Sequence, residues 1–340
     1  NSMKINMKEW VKDIIDRPVK SSIPVLSFPC VTLMGITVNQ LIASSDLQAE
    51  GMYRVAQRIP SHASVSMMDL SVEAEAFGAP VRFSDMEVPT VMGAVVKSMA
   101  DAEALQIPQV GAGRTGLYVE AIGKACSRIT DRPVLAGVIG PFSLAGRLQD
   151  VVEIMVNCMI APDMVHKTME KATEFLISYI EAYKAVGANG IVMAEPLTGL
   201  LPPDMAETFS EPYVKRIIDT VQSDDFLVVY HNCGNNTILM IDSILRVGAG
   251  AYHFGNAISM KEMMQHIPHD ILAMGNVDPA GQFANGTVES IKAATKKVMS
   301  ECCSYPNFMV SSGCDIPPHS PWANIDAFFE AIKEFYAERA

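Results

Sequence analysis

Positive charge is scarce in this chain. Lysine and arginine total 26 against 38 aspartates and glutamates, for a net charge of −12, and residues 21–53 contain no lysine or arginine at all. Proteins that bind nucleic acid neutralise phosphates with cationic side chains, and those that bind anionic membranes do the same with lipid headgroups, so this balance argues against both partners. Long apolar runs are also missing. None approaches the roughly 18–20 residues that a bilayer span requires, and no basic-then-apolar signal segment is seen. Asn1-Ser2 ahead of Met3 reads as a cloning remnant. The seven cysteines are odd in number and sit in a long chain, which is not the pattern of a disulfide framework. The expectation is a reduced, cytoplasmic protein whose cysteines are metal ligands, reactive thiols or small core residues. No G-x-G-x-x-G follows the first apolar run, and Gly111-Ala112-Gly113 lacks the third glycine, so a dinucleotide-binding open sheet is not indicated. There is no internal repeat, low-complexity tract or dividing linker, and residues 3–340 are expected to form one domain.

What is present is a globular composition, 49% hydrophobic and 19% charged. Eight short apolar runs recur, at 23–28, 63–68, 134–139, 190–194, 226–230, 251–254, 271–274 and 307–310. Between most of them lie segments with helical spacing. The clearest is 163–186, where Val165, Met169, Ala172, Leu176, Tyr179 and Tyr183 form one apolar stripe that ends at Gly187. Strands alternating with helices imply parallel pairing through right-handed crossovers, and eight units predict a closed (β/α)₈ TIM barrel with a helical lead-in. Residues 84–111 are less regular and read as an insertion over the barrel mouth.

Barrel chemistry sits where strands end. The fifth run ends in Tyr230-His231-Asn232-Cys233-Gly234 and the eighth in Ser312-Gly313-Cys314-Asp315. His231, Cys233 and Cys314 supply imidazole nitrogen and thiolate sulfur, the set that zinc takes in tetrahedral geometry with one position left open. Two thiolates and a neutral histidine leave such a site near zero charge, so an entering substrate thiol would lose its proton. A harder, carboxylate-rich set would suit water activation instead. Glu195 and Asn276 end the fourth and seventh runs and face the predicted mouth. Met67, Met68 and Met193 read mostly as core. Cys30 reads as a lining or core residue, Cys302 and Cys303 as bystanders, and His319 as part of the rim.

Several segments together resemble the uroporphyrinogen decarboxylase superfamily, and within it the methylcobamide:coenzyme M methyltransferases. They are Glu73-Ala74-Glu75-Ala76-Phe77-Gly78, Gly140-Pro141-Phe142, Gly187-Ala188-Asn189-Gly190 leading to Glu195-Pro196, His231-Asn232-Cys233-Gly234-Asn235, Gly275-Asn276-Val277-Asp278-Pro279 and Gly313-Cys314-Asp315-Ile316-Pro317-Pro318. The resemblance implies a TIM barrel, a zinc held by His231, Cys233 and Cys314, a thiol acceptor such as coenzyme M, and a methylated corrinoid protein as donor, with Glu195, Asn276 and His253 as candidate contacts for substrate or corrinoid. One departure stands out. The coenzyme M enzymes carry a glutamate after the sixth run that can fill the fourth zinc position, whereas Tyr252-His253-Phe254-Gly255-Asn256 has no carboxylate. Water or His253 would take that place, and the acceptor's identity stays open. The superfamily's decarboxylases carry an arginine-rich loop after the first strand. The cation-free stretch 21–53 therefore argues against porphyrinogen decarboxylation. The remaining alternatives are a related enzyme that demethylates a small substrate onto cobalt and a non-enzymatic corrinoid- or zinc-binding role.

Overall fold

The structure, a computed structural model, describes residues 4–340; the expected cloning remnant lies outside them. Among the described residues nine strands are formed: β1 (Ser64–Val65), β2 (Val81–Arg82), β3 (Thr90–Val91), β4 (Val134–Ile139), β5 (Gly190–Ala194), β6 (Leu227–Asn232), β7 (Ala251–Phe254), β8 (Leu272–Val277) and β9 (Phe308–Ser312). Seven of them make one curled parallel sheet in the order β1-β4-β5-β6-β7-β8-β9, and β2 and β3 form a separate antiparallel ribbon. The uncovered faces of such a sheet would expose apolar side chains, and helices between successive strands cover the outside. The longest, Pro162–Ala185, occupies the predicted segment with a shift of one residue at each end and buries Val165, Met169, Ala172, Leu176, Tyr179 and Tyr183.

The expected eighth strand is not formed, and the sheet has seven strands where a closed barrel of eight was predicted. Residues 23–28 run extended between the two sheet edges, but serine hydroxyls replace the ladder. Ser22 Oγ donates to Val310 O (2.5 Å), Ser311 Oγ donates to Ile23 O (2.9 Å), and Val25 N donates to Ser312 Oγ (3.0 Å). On the other side His62 N donates to Ser22 O (2.9 Å), just ahead of β1. The cause is Pro24, which has no N–H and interrupts a regular parallel pairing.

Residues alternate between two cores, as the two-residue period of a strand requires. Val192, Leu227, Val229, Leu272, Met274 and Met309 fill the inside of the curl, joined at one end by Met7, Val11 and Ile14 of the lead-in helix Met7–Asp16. Ile191, Met193, Val228, Tyr230, Tyr252 and Val310 point outward to the helices. On β6 this alternation puts His231 on the inner face, two residues beyond Val229.

Glu73 ties the helix Val72–Ala76 to the end of β4 by accepting from Ile139 N (2.8 Å), while its Oε1 is buried without a partner. Burial pushes its carboxyl up to about 7, with nearby Asp69 adding to the rise and Ile139 N and Arg147 opposing it. Between the unfolded value near 4.3 and that folded value the native chain holds a proton that the unfolded chain releases. Stability contributed by this group is therefore lost as pH rises through that window, and it is flat above it. Glu73→Gln is expected to be more stable than the parent at pH 8, by up to on the order of 3 kcal/mol, with the gap closing by pH 5. Urea unfolding at the two pH values measures it, and an equal or larger gap at pH 5 would contradict the assignment.

Candidate metal centre

His231 lies near the end of β6, Cys233 follows the strand directly, and Cys314 lies two residues beyond β9. One ligand atom from each falls within 4.8 Å of the others. His231 is buried, and the two cysteines are half-buried and free of disulfides. The neighbouring Cys233 thiol and burial push Cys314 up to about 12, with His231 opposing them, while Cys314 beside it lowers Cys233. Two sulfurs at this spacing favour binding a cation over carrying separate protons.

The side chains behind His231 fix which of its nitrogens faces the sulfurs. Ser311 Oγ spends its proton on Ile23 O (2.9 Å), so it accepts from His253 Nε2 (2.8 Å). His253 Nδ1 then has only a lone pair to offer, and His231 Nδ1 must donate to it across 2.7 Å. His231 Nε2 is thereby left with its lone pair free, and it is a buried atom without a hydrogen-bond partner. A buried acceptor of this kind is costly unless something completes it. Burial and the neighbouring His231 hold His253 well below the usual histidine range, which keeps the relay neutral. Imidazole oriented through its other nitrogen is the usual arrangement of a metal ligand, so the residues present fit a zinc ion.

The loop after β7 locks the two cysteine loops together. A Cβ at Gly255 would lie 2.4 Å from Cys233 Cβ, and one at Gly313 would lie 2.7 Å from Asn256 Oδ1. Asn276 braces this loop, its Nδ2 donating to Gly255 O (3.0 Å) and Ile258 O (2.7 Å). Glu195 is fully buried, and its carboxylate accepts from Ser143 N (2.8 Å), Phe142 N (3.2 Å) and Thr198 Oγ1 (3.0 Å). It thus serves the start of the helix Pro141–Gln149, and Gly140 is required there because a Cβ would meet Glu195 Cγ at 2.0 Å. Cys30 packs under the helix Ser45–Arg58, and burial raises its thiol to about 12; Cys303 and His319 are exposed.

A cavity of about 320 Å³ opens beside the triad. His231, Cys314, Asp315 and Arg147 line it, with Val88, Pro89 and Thr90 from the predicted insertion forming part of its wall. Asp315 and Arg147 were not singled out from the sequence. Asp315 Oδ1 is buried without a partner, and burial, then Cys314, pushes its carboxyl well above the usual range. The inward position of Ser311 follows from strand alternation, whereas nothing in the sequence marks Arg147, which reaches the cavity from a helix.

The profile of the uroporphyrinogen decarboxylase (URO-D) family matches residues 25–335, and the chain belongs to that family. Among characterised relatives, the methylcobamide:CoM methyltransferase MtbA of Methanosarcina acetivorans is 29% identical over 273 residues, 78% of each chain. The uroporphyrinogen decarboxylase of Alcanivorax borkumensis is 23% identical over 306 residues, 86% of this chain and 85% of the relative. Among solved structures, a methyltransferase from Methanosarcina mazei superposes with a TM-score of 0.85 at 23% identity, covering 98% of this chain and 99% of that one. The last likeness is one of fold. No helix among the described residues is long and apolar enough to cross a membrane.

Proposed function

We propose that this chain is a methyltransferase that moves a methyl group from a methylated corrinoid, carried by a partner protein, to a small thiol such as coenzyme M. Zinc is the proposed cofactor, with His231, Cys233 and Cys314 as its protein ligands. The observation that carries this reading is the unpartnered, buried Nε2 of His231, aimed by the His253–Ser311 relay at two free thiols. Zinc held there would favour the ionised form of the acceptor sulfur at neutral pH.

The chain's own residues supply the positioning. His231 and Cys314 line the cavity, with Cys233 beside them, and so set the corner at which the acceptor sulfur is held. At about 320 Å³ the cavity suits a small molecule and is too small for a corrin ring, so the donor presents its methyl at the mouth. In the reaction the sulfur–carbon bond forms as the carbon–cobalt bond breaks. The bonding pair stays on cobalt, taking Co(III) to Co(I), and the thiol proton leaves to solvent. The proposed location is the reducing cytoplasm, a reading supported by the free cysteines.

Anoxic mixing with methylcobalamin and a thiol tests the reading. The methyl-Co(III) absorbance is expected to fall as Co(I) appears, to stop on chelation and to resume with added zinc. Coenzyme M, cysteine, homocysteine and glutathione are run in parallel. If zinc is fully bound and no thiol is methylated, by free methylcobalamin or by a methylated corrinoid protein, the proposal is wrong.

A further inference from the structure

The helix Val151–Ile160 follows Pro141–Gln149 after a single residue, Asp150, and its outer side is apolar. At about 100° per residue, Val151, Val152, Met155, Val156, Met159 and Ile160 occupy one half of its circumference, while Ile154 and Cys158 are buried on the other. Glu153 and Asn157 lie at the border between the two. Water therefore meets the hydrophobic half: Val152 is 66% exposed, Met159 71% and Ile160 74%. A surface helix ordinarily turns that half to the core. The exposed area of the half is on the order of 500 Å² per chain, the size at which an apolar patch on a protein surface marks an interaction site.

We propose that this face is covered by a second copy of the chain, in an antiparallel helix pair across a two-fold axis. The pattern is self-complementary. With the axis passing between Met155 and Val156, Val152 of one copy lies against Met159 of the other, and the same contact is made twice, a short branched side chain against a long flexible one. Two such halves with their rims bury more than the roughly 1,000 Å² that a specific interface needs. Residues 148–166 hold no lysine or arginine and three acids, Asp150, Glu153 and Asp163, so the face has nothing to offer an anionic membrane or an acidic partner. Asp150 is turned back on its own helix, accepting from Val152 N and Glu153 N at 3.0 Å. The centre of the face is uncharged, so a second copy brings no like charge against it. Arg147, which lines the cavity, lies four residues ahead of Val151, and the seam of the pair runs close to both cavity mouths.

Sedimentation velocity of the full chain from about 1 to about 100 μM tests this. A dimer with Kd in the micromolar range is expected. It should tighten as salt is raised from about 0.05 to about 0.5 M, because salt screens the repulsion between two chains of net charge −12, whereas an interface held by ion pairs would weaken. Val152→Lys and Met159→Glu, both at exposed positions, should each raise Kd by about 100-fold or more with far-UV circular dichroism unchanged. The double variant V152K/M159E should dimerise again, since the two-fold sets each new cation against a new anion of the other copy. A parent that is monomeric throughout overturns the proposal, as does a dimer indifferent to both single variants, or a folded double variant that stays monomeric. A monomeric parent that instead binds phosphatidylcholine–phosphatidylserine vesicles, or a methylated corrinoid protein, through Val152 and Met159 would give the face to another occupant and overturn it as well.

Discussion

Cys233→Ala and Cys314→Ala are each expected to purify almost free of metal, against about one zinc per chain in the parent, with far-UV circular dichroism unchanged. Each substitution removes one of three protein ligands, and the sulfur that remains cannot form the closed corner into which His231 Nε2 points. The fold survives because both cysteines lie beyond strand ends, where they carry no ladder hydrogen bonds. Methyl transfer to any thiol is lost with the metal. His253→Phe should behave differently. It preserves all three ligands but removes the acceptor that holds His231 in the Nδ1–H form, so zinc affinity falls by about 10–100-fold without being abolished. Elemental analysis and competition with a chromophoric chelator give both quantities. Full zinc content in either cysteine variant would show that the metal is held elsewhere.

Arg114→Met is expected to destabilise the fold by about 3–5 kcal/mol, read from the urea midpoint. The side chain of Asp69 is completely buried just beyond β1, and Arg114 Nη1 reaches its Oδ2 at 2.7 Å. Tyr118 donates to the same oxygen at 2.7 Å, and Ser71 Oγ donates to Oδ1 at 2.6 Å. Arg114 also joins Glu75 (2.9 Å) and donates to Ser71 Oγ (2.7 Å), so one guanidinium pins the start of the helix Thr115–Arg128 to the mouth-side loop of β1. Most of the cost comes from stranding a carboxylate in a site built for a charge pair. The double variant with Asp69→Asn should therefore lose much less than the two single losses combined. A loss below about 1 kcal/mol in Arg114→Met would mean that the pair is screened as a surface pair is.

The parts of this molecule that obey a period were legible in the sequence. The end of the fifth apolar run foretold the place of His231 near the end of β6, and the helical stripe from Val165 to Tyr183 foretold the helix Pro162–Ala185. The run at 23–28 looked like the others, but a single proline changed how its backbone is satisfied, and composition alone does not reveal that serines from β9 would stand in. Glu195 and Asn276 were marked by their place at strand ends. Their hydrogen bonds go to backbone groups of neighbouring loops, which only the packed chain specifies. Arg147 had no sequence signal because its place in the cavity wall depends on how the helix Pro141–Gln149 packs beside the strand ends. The absence of a carboxylate after the Tyr252–Phe254 run was visible, but the use of His253 as the support of His231 was not.

The relay behind His231 passes from β6 through His253 on β7 and Ser311 on β9, and it terminates on Ile23 O in the segment that bridges the two edges of the sheet. Metal capture at this site would therefore be thermodynamically linked to the seam of the fold. A cation on Nε2 favours the one tautomer of His231 that needs His253 as acceptor, and that in turn needs Ser311 to keep its proton on Ile23. Whatever free energy the ion gains from a closed seam, the seam gains from the ion. The metal-free chain should open first along residues 21–26, and filling the site should anneal a joint that backbone pairing alone leaves unfinished.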